Sequence, residues 1–354
     1  MKKLISVFLC LALAAGLIAA CGAAPAADQT AAPTARRLSV VTTIFPAYDW
    51  VKNILGENPA DVDLTLLLDK GADLHSYQPT VDDMVKIADC DLFVYVGGES
   101  DEWVGDALRE AVNPNMRVVS LLELLGDAVV EEELVEGMEA DHDHDHDHEH
   151  EEEHDHEEEH EEHEHEDHED HEHEEAEYDE HVWLSLKNAA ALCRALSDAL
   201  GQIDSGNAAL YTANADAYIE KLNALDAQYQ AAVDAGAQKT LLFGDRFPFR
   251  YLTEDYGLTY YAAFAGCSAE TEASFETVVF LANTLDELGL GSILQIETAD
   301  GAIAAAVRDN TKAKDQQILT LNSMQSCTAA DVAAGASYLG IMEDNLGVLK
   351  EALR

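Results

Sequence analysis

Leu38-Ser-Val-Val-Thr-Thr-Ile44 is a β-branched run, and after a helical pattern at residues 47–55 a second apolar run follows, Val62-Asp-Leu-Thr-Leu-Leu-Leu68. Further strand-like runs occur at 92–96 and 117–121, again with helical patterns between them. Short strands that alternate with longer helices are typical of βαβ units, in which neighbouring strands are parallel. This stretch therefore predicts an α/β lobe built on a mostly parallel sheet.

The C-terminal part repeats this rhythm, with strand-like runs at 240–243, 258–261, 292–297 and 317–321. Between the two sets, residues 207–235 contain no Pro and no Gly, and their large apolar side chains fall on one helical stripe: Tyr211, Tyr218, Leu222, Leu225, Tyr229 and Val233. At 1.5 Å per residue, such a helix would be about 40 Å long. We predict two Rossmann-like lobes, 38–206 and 237–354, joined by one long rigid helix at 207–236, with the ligand site in the cleft.

The N-terminus has the features of a secretory signal. Lys2 and Lys3 precede an apolar stretch at 4–17, and Ile18-Ala-Ala-Cys21-Gly22 resembles a bacterial lipobox. We expect a signal peptide at 1–20, a lipid on Cys21 and a flexible Ala/Pro/Thr-rich tether at 21–37. The protein is therefore predicted to be extracytoplasmic and held to the bacterial membrane by a lipid anchor, the alternative being an ordinary signal with an incidental cysteine.

Every residue from 141 to 175 is His, Asp or Glu, and the chain carries a formal charge of −50. Residues 131–180 hold 30 of the 70 acids and no Lys or Arg, so the remainder has 40 acids against 20 bases, a balance that argues against a nucleic-acid partner. With so little apolar content, 131–178 is predicted to be a disordered loop. The alternatives for it are an inert acidic spacer and an auxiliary metal-capture segment. The capturing side chains would be His142, His144, His146, His148, His150, His154, His156, His160, His163, His165, His168, His171 and His173.

Outside this tract the chain has two histidines, His75 and His181, and both lie in predicted loops. Imidazole is the commonest side-chain ligand for borderline transition metals. Two carboxylates could join them at the carboxyl ends of strands, because Asp245 follows one strand and Glu297 ends another. Such a set suits four-coordinate zinc or a harder metal. Alternatively, Asp245 pairs with a neighbouring arginine and Glu297 caps the next helix.

Cys267 and Cys327 flank candidate site loops of the second lobe. An oxidising compartment would permit a disulfide between them, but sequence does not fix connectivity, so two free thiols are an equal alternative. None of the six cysteines belongs to a Cys-x-x-Cys pair, which argues against a thiolate zinc site.

Several motifs occur in a specific order along the chain: Val41-Thr-Thr-Ile-Phe-Pro46, Gly71-Ala-Asp-Leu-His75-Ser-Tyr-Gln-Pro79, Asp179-Glu-His181-Val-Trp-Leu-Ser185, the long helix, and Phe243-Gly-Asp-Arg-Phe-Pro-Phe-Arg-Tyr251. This ordered set, which extends over 38–354, resembles the metal-binding solute-binding proteins of ABC importers, specifically the zinc-uptake type. The resemblance implies a metal between two lobes, with His75 and His181 as the first two ligands, and a linking helix that restricts closure to a small tilt. It also implies a monomer that delivers its ion to a membrane permease with a cytoplasmic ATPase.

The second lobe departs from the family pattern. Relatives commonly have a third histidine after its first strand, where this chain has Gly244 beside Asp245, and Asn322 stands near a commonly ligating aspartate. Glu297 and Asp245 are therefore the ranked candidates for the remaining ligands. Oxygen ligands would also suit Mn²⁺, whereas the histidine tract favours Zn²⁺, so we expect Zn²⁺ as the transported ion.

Two other functions are compatible with parts of the sequence. A surface lipoprotein for metal storage or adhesion, without a permease, would carry the same sequence features. A metallohydrolase is disfavoured, because the chain has no His-Glu-x-x-His motif and no Ser, His, Asp set can be built from two spare histidines. The protein is therefore predicted not to be an enzyme.

Overall fold

Two parallel sheets, each of four strands, organise the described part of the chain. The computed structural model describes residues 37–56, 62–139, 178–268 and 272–354. The predicted signal peptide, Cys21, the tether up to residue 36 and all the histidines of the tract lie outside these ranges. Within the ranges, no helix combines the length and the apolar character that crossing a membrane would need.

The first sheet consists of β1 (Leu38–Thr42), β2 (Val62–Leu66), β3 (Leu92–Tyr95) and β4 (Arg117–Ser120). Its order is β2-β1-β3-β4 and every pairing is parallel. The helices of this lobe are α1 (Phe45–Leu55), α2 (Val81–Asp89), α3 (Val104–Arg109), α4 (Leu121–Leu125) and α5 (Leu186–Ile203). The central strands β1 and β3 are rich in apolar residues because both faces of a parallel sheet are buried.

The second sheet consists of β5 (Thr240–Phe247), β6 (Thr259–Ala265), β7 (Ser292–Ile296) and β8 (Gln317–Leu321), in the parallel order β6-β5-β7-β8. Its helices, apart from the linking helix, are α7 (Arg250–Tyr256), α8 (Phe275–Leu288), α9 (Ala302–Asn310), α10 (Ala329–Ala334) and α11 (Tyr338–Ala352). The predicted fold class, two parallel-sheet α/β lobes, is confirmed.

The linking helix, α6, spans Ala208–Ala235 and has 28 residues, which corresponds to a length of about 42 Å. All six residues of its predicted apolar stripe are buried. The helix packs against α1 and α5 of the first lobe and against α7 and α11 of the second. It therefore braces both lobes along most of its length.

Buried aromatic side chains form hydrogen bonds between the two lobes near the cleft. Trp183 Nε1 of the first lobe donates to the backbone oxygen of Ser323 at 2.8 Å, and the Tyr338 hydroxyl donates to the backbone oxygen of Trp183 at 2.7 Å. Asp49 accepts the backbone N–H of Tyr338 at 3.0 Å. One apolar core contains residues of both lobes, and the described residues from Arg37 to Arg354 form a single compact unit.

Residues 131–139, which the sequence placed in the disordered loop, are ordered in the structure. Their acids find donors in the second lobe: Glu133 forms an ion pair with Arg250 at 2.8 Å, and Glu132 accepts the backbone N–H of Cys267 at 2.9 Å. Met138 packs against the core. The prediction from acid content therefore begins the disordered loop too early. Ion pairs and apolar contacts order residues 131–139.

Candidate metal-binding site

His75 follows β2 on a single 3₁₀ turn, Leu74–Ser76. Asp73 begins this turn and accepts the backbone N–H of His75 at 3.1 Å. The Nδ1 atom of His75 lies 2.7 Å from the Ser100 hydroxyl. These contacts fix the ring so that Nε2 faces the cleft.

His181 is fully buried, at the start of the 3₁₀ turn Val182–Leu184. One carboxylate oxygen of Asp179 accepts both the backbone N–H of His181, at 2.8 Å, and the ring Nδ1–H, at 2.9 Å. A carboxylate that holds Nδ1–H sets the tautomer and leaves the Nε2 lone pair for a metal. This arrangement is typical of metal-ligating histidines.

The Nε2 atoms of His75 and His181 lie 3.1 Å apart. The Sγ atom of Cys267, in the loop after β6, completes a group whose ligand atoms lie within 4.8 Å of one another. Among the described residues this is the one group of three or more His, Cys, Asp or Glu side chains with metal-binding spacing. The first lobe supplies both imidazoles, and the second supplies the thiol.

Gln325 lies directly on the two imidazoles. Its Nε2 is 2.8 Å from His181 Nε2 and 3.1 Å from His75 Nε2, and its Oε1 accepts from the Ser323 hydroxyl at 3.0 Å. Sequence reasoning missed this residue. Its position could have indicated a role in the site, because Gln325 lies in the loop after β8, at the carboxyl end of the sheet, where ligands bind in parallel α/β folds.

The two predicted carboxylates lie outside the group of ligand atoms. Glu297 accepts the backbone N–H of Ser323 at 2.7 Å and also its hydroxyl, so it supports the loop that carries Gln325. Asp245 accepts the backbone N–H of Ile296 at 2.9 Å and that of Arg246 at 2.8 Å. Both carboxylates are therefore engaged in local hydrogen bonds of the second lobe.

Gly244 and Asn322, the two family positions that differ, have structural roles. A Cβ atom on Gly244 would lie 2.6 Å from Ala304 Cα, so α9 leaves no room for a histidine there. The Asn322 side-chain oxygen accepts the backbone N–H of Met324 at 2.8 Å, and Met324 has a φ of 63°. Asn322 thus shapes the strained turn that presents Gln325 to the histidines.

The two imidazoles have opposite pKa shifts. Burial, reinforced by the neighbouring His181, lowers the pKa of His75 to about 3. Burial also acts to lower the pKa of His181, but the Asp179 carboxylate outweighs it and raises that pKa overall. Because a metal requires neutral imidazoles, His75 is ready to bind, whereas His181 must first lose a proton at mildly acidic pH.

Glu180 lies beside His75 in a small cavity of about 200 Å³, which Ser100, Glu132 and Cys267 also line. Burial raises the pKa of Glu180 to about 7. Its Oε1 accepts the backbone N–H of Ser100 at 2.9 Å, whereas its buried Oε2 has no hydrogen-bond partner. This oxygen lies 3.6 Å from His75 Nδ1, so an unsatisfied acceptor faces a metal-ligand candidate.

Cys267 and Cys327 are both free thiols in the structure, which corresponds to one of the two alternatives that the sequence leaves open. Burial, together with the nearby Glu132 carboxylate, raises the pKa of the Cys267 thiol well above its ordinary value. The half-buried Cys327 lies apart from the cluster of ligand atoms.

Two parallel-sheet lobes braced by a long helix, with paired imidazoles at the cleft, define a two-lobed solute-binding protein with a candidate metal site. The chain belongs to the family described as zinc-uptake complex component A, periplasmic, whose model matches residues 40–352. This family comprises solute-binding transport proteins rather than enzymes. The predicted family resemblance is confirmed.

The chain is 30% identical over 337 residues to the high-affinity zinc uptake system protein ZnuA of Bacillus subtilis, covering 95% of this chain and 94% of that protein. It is 31% identical over 321 residues to the zinc-binding lipoprotein AdcA of Streptococcus pneumoniae, covering 89% of this chain. The chain spans about half the length of that relative, 56%.

Solved structures show the same architecture. The Zn(II)-bound ZnuA-like domain of Streptococcus pneumoniae AdcA matches with a TM-score of 0.64 and 27% identity, covering 90% of this chain and 99% of that one. The periplasmic zinc-binding protein TroA of Treponema pallidum matches with a TM-score of 0.66 and 23% identity, over 90% of this chain and 99% of that one, a likeness of fold.

Proposed function

We propose that this chain is the extracytoplasmic binding component of a zinc ABC importer. It captures Zn²⁺ at His75 and His181 and delivers the ion to a membrane permease with a cytoplasmic ATPase. The observation that carries this proposal is the convergence of the two Nε2 atoms, 3.1 Å apart, at the junction of the lobes. Membership of the zinc-uptake family supports zinc over manganese and favours import over storage or adhesion.

Capture begins with two neutral imidazoles whose lone pairs face one point. The Gln325 amide now covers that point, so it moves aside or rotates when the ion arrives. After rotation its carbonyl oxygen would face the ion, and carbonyl oxygen is an acceptable ligand for a divalent cation. Ser323 and Glu297 hold the loop in either arrangement, because they contact each other through the Ser323 backbone and hydroxyl.

Release requires the lobes to separate slightly at the cleft. The shared core and α6 favour a small tilt over a wide hinge motion, because a large opening would expose buried apolar surface. The ion pair between Arg246 of the second lobe and Asp73 of the first, 2.7 Å long, must break or stretch in that tilt. Docking on the permease would supply the free energy, since a partner shifts the equilibrium by its differential affinity for the two states.

The N-terminus and the histidine tract have supporting roles in the proposed function. Lipidation of Cys21 would anchor a monomeric protein at the outer face of the cell membrane, and the tract would raise the local concentration of zinc. Glu139 and Tyr178 flank the undescribed residues 140–177, and Tyr178 lines the small cavity beside His75 and Cys267. Ions held by the tract would thus be released close to the cleft.

Uptake of labelled zinc at limiting concentration tests this function in cells that carry the chain and its permease. We expect uptake to be lost in the His75→Ala, His181→Ala double variant and retained in His160→Ala, which removes one imidazole of the tract. Deleting the permease should have the same effect as the double variant. Zinc uptake that persists in the double variant, or without the permease, would refute the proposal.

A further inference from the structure

Cys267 lies beside the two histidines although it belongs to no Cys-x-x-Cys pair. It follows β6 in the second lobe, and its backbone N–H donates to the Glu132 carboxylate at 2.9 Å. Its Sγ lies within 4.8 Å of a ring nitrogen of each histidine. The thiol also lines the small cavity beside His75, so a cation in that cavity would meet both sulfur and imidazole.

The spacing is close to that of a coordinated ion. In a tetrahedral zinc site with Zn–S near 2.3 Å and Zn–N near 2.0–2.1 Å, the ligand atoms lie roughly 3.3–3.7 Å apart. The imidazole nitrogens, 3.1 Å apart, are already near this value. The sulfur lies within 4.8 Å of the nitrogens, so it would have to move toward them by at most roughly 1.5 Å to reach this spacing.

A buried dication needs negative charge close to it. Two imidazoles and the Gln325 amide are neutral, so a thiolate would add a directly bound charge to the carboxylates that already surround the fully buried His181. The Asp179 carboxylate is engaged with His181. The buried Glu180 Oε2, which has no hydrogen-bond partner, lies 3.6 Å from Nδ1 of His75 and lines the same small cavity as Cys267.

We propose that Cys267 binds the captured ion as a thiolate, making a nitrogen–sulfur site with His75 and His181 that selects Zn²⁺ and related thiophilic ions over Mn²⁺. This inference rests on the proposed function and specifies the chemistry of the same site. Binding forms a Zn–S bond and breaks the S–H bond, and the proton leaves to solvent, with no change of oxidation state. Thiolate ligands favour zinc and copper(I), whereas manganese prefers carboxylate and water.

Cobalt(II) substitution of the full chain tests this site directly. A thiolate ligand gives a sulfur-to-cobalt charge-transfer band in the near ultraviolet, which the sulfur-free histidine tract has no means to produce. We expect the band in the unmodified chain and in Cys327→Ser, the matched control with another half-buried thiol. In Cys267→Ser the band should vanish; a band of unchanged intensity in that variant would overturn the proposal.

A measurement on the unmodified chain removes any dependence on how the variant folds. Zn²⁺ should slow alkylation of Cys267, measured peptide by peptide, on the order of tenfold or more relative to Cys327, because the metal occupies the sulfur that the alkylating reagent attacks. Equal alkylation of the two cysteines with and without Zn²⁺ would overturn the proposal.

Zinc titration of the variants tests the thiolate ligand separately from the importer function. Cys267→Ser should weaken cleft binding of zinc on the order of 10–100-fold and reduce the preference for zinc over manganese. Unchanged zinc and manganese affinities in Cys267→Ser, together with loss of a zinc in His75→Ala, would leave the importer function standing and eliminate the thiolate. Retention of every zinc in both histidine variants would eliminate the importer function itself.

Discussion

Asp73 bonds to His75 with one carboxylate oxygen and to Arg246 with the other. Its Oδ1 accepts the backbone N–H of His75 at 3.1 Å, and its Oδ2 accepts from the Arg246 guanidinium at 2.7 Å. The first contact sets the turn that carries a metal-ligand candidate, and the second crosses to the other lobe. Closure of the lobes and placement of His75 are therefore mechanically linked through one carboxylate.

This link predicts the effect of Arg246→Gln. The variant loses the charge that holds Asp73, so the closed arrangement becomes less favoured and His75 less well placed. Zinc affinity should fall on the order of tenfold, as for other residues that orient metal ligands. Competition with a chromophoric chelator measures it. Arg308→Gln serves as the control, because it removes a guanidinium that pairs only with its sequence neighbour Asp309 among the ion pairs of the described residues. Equal zinc affinities in the Arg246 and Arg308 variants would contradict the link.

Asp179→Asn should weaken zinc binding through His181. The amide is isosteric but lacks the charge that holds Nδ1–H, so the ring loses its fixed tautomer and part of its basicity as a ligand. We expect a loss on the order of 10–100-fold in zinc affinity. Isothermal titration measures this, and the effect should be larger than that of Ser100→Ala, which removes the neutral partner of His75. The reverse ranking would show that Asp179 does not act through His181.

Zinc binding should weaken as pH falls, and the loss should become steeper below an onset that lies above pH 6.5, because His181 then gains a proton in addition to the one on the Cys267 thiol. The pKa of His181 is raised above its usual 6.5 by Asp179, so the metal-free protein gains a proton there at mildly acidic pH, and zinc must displace it. His75, with a pKa lowered to about 3, adds nothing to this slope. Affinities measured from pH 5.5 to 8 check the prediction, and Asp179→Asn should move the onset to lower pH. A flat profile would contradict the assignment.

Tyr338→Phe should destabilise the junction of the lobes. Its hydroxyl donates to the backbone oxygen of Trp183, and both side chains are buried. Removing the donor leaves that carbonyl unsatisfied, which costs about 1–3 kcal/mol in the free energy of unfolding. Urea denaturation measures the loss. Tyr261→Phe, at a partly exposed ring on the second sheet, should change stability much less; a similar loss in both variants would argue against this junction.

Deletion of residues 140–177 should separate capture from binding. The tract is predicted to concentrate zinc near the cleft, so its removal should lower uptake when zinc is limiting and leave uptake unchanged when zinc is abundant. Affinity of the cleft itself should stay the same, because the ligand candidates lie elsewhere in the chain. Unchanged uptake at limiting zinc would reduce the tract to an acidic spacer.

Much of this architecture is predictable from sequence because local patterns determine it. The alternation of strands and helices gave both sheets, and the uninterrupted apolar stripe from Tyr211 to Val233 gave the linking helix. His75 and His181 stood out by composition, since all other histidines lie in the tract. The structure brings these two together across 106 residues of chain.

The residues of the second lobe that lie beside the histidines could not be predicted from local sequence patterns. Asp245 had the right chemistry and position, but the backbone N–H groups of Ile296 and Arg246 engage its oxygens. Gln325 and Cys267 reach the histidines because of turn geometry after β8 and β6, which depends on tertiary packing. An amide and an isolated cysteine also carry weaker metal signals than a carboxylate or a Cys-x-x-Cys pair.

In the proposed function, His75 and His181 bind one zinc ion in the cleft. Zinc titration of a chain in which a short Gly/Ser linker replaces residues 140–177 tests it most directly, because the other thirteen imidazoles are then absent. We expect one tightly bound equivalent of zinc, lost in His75→Ala and in His181→Ala and preferred over manganese. A full equivalent retained in both single variants, or tight manganese with weak zinc, would contradict it.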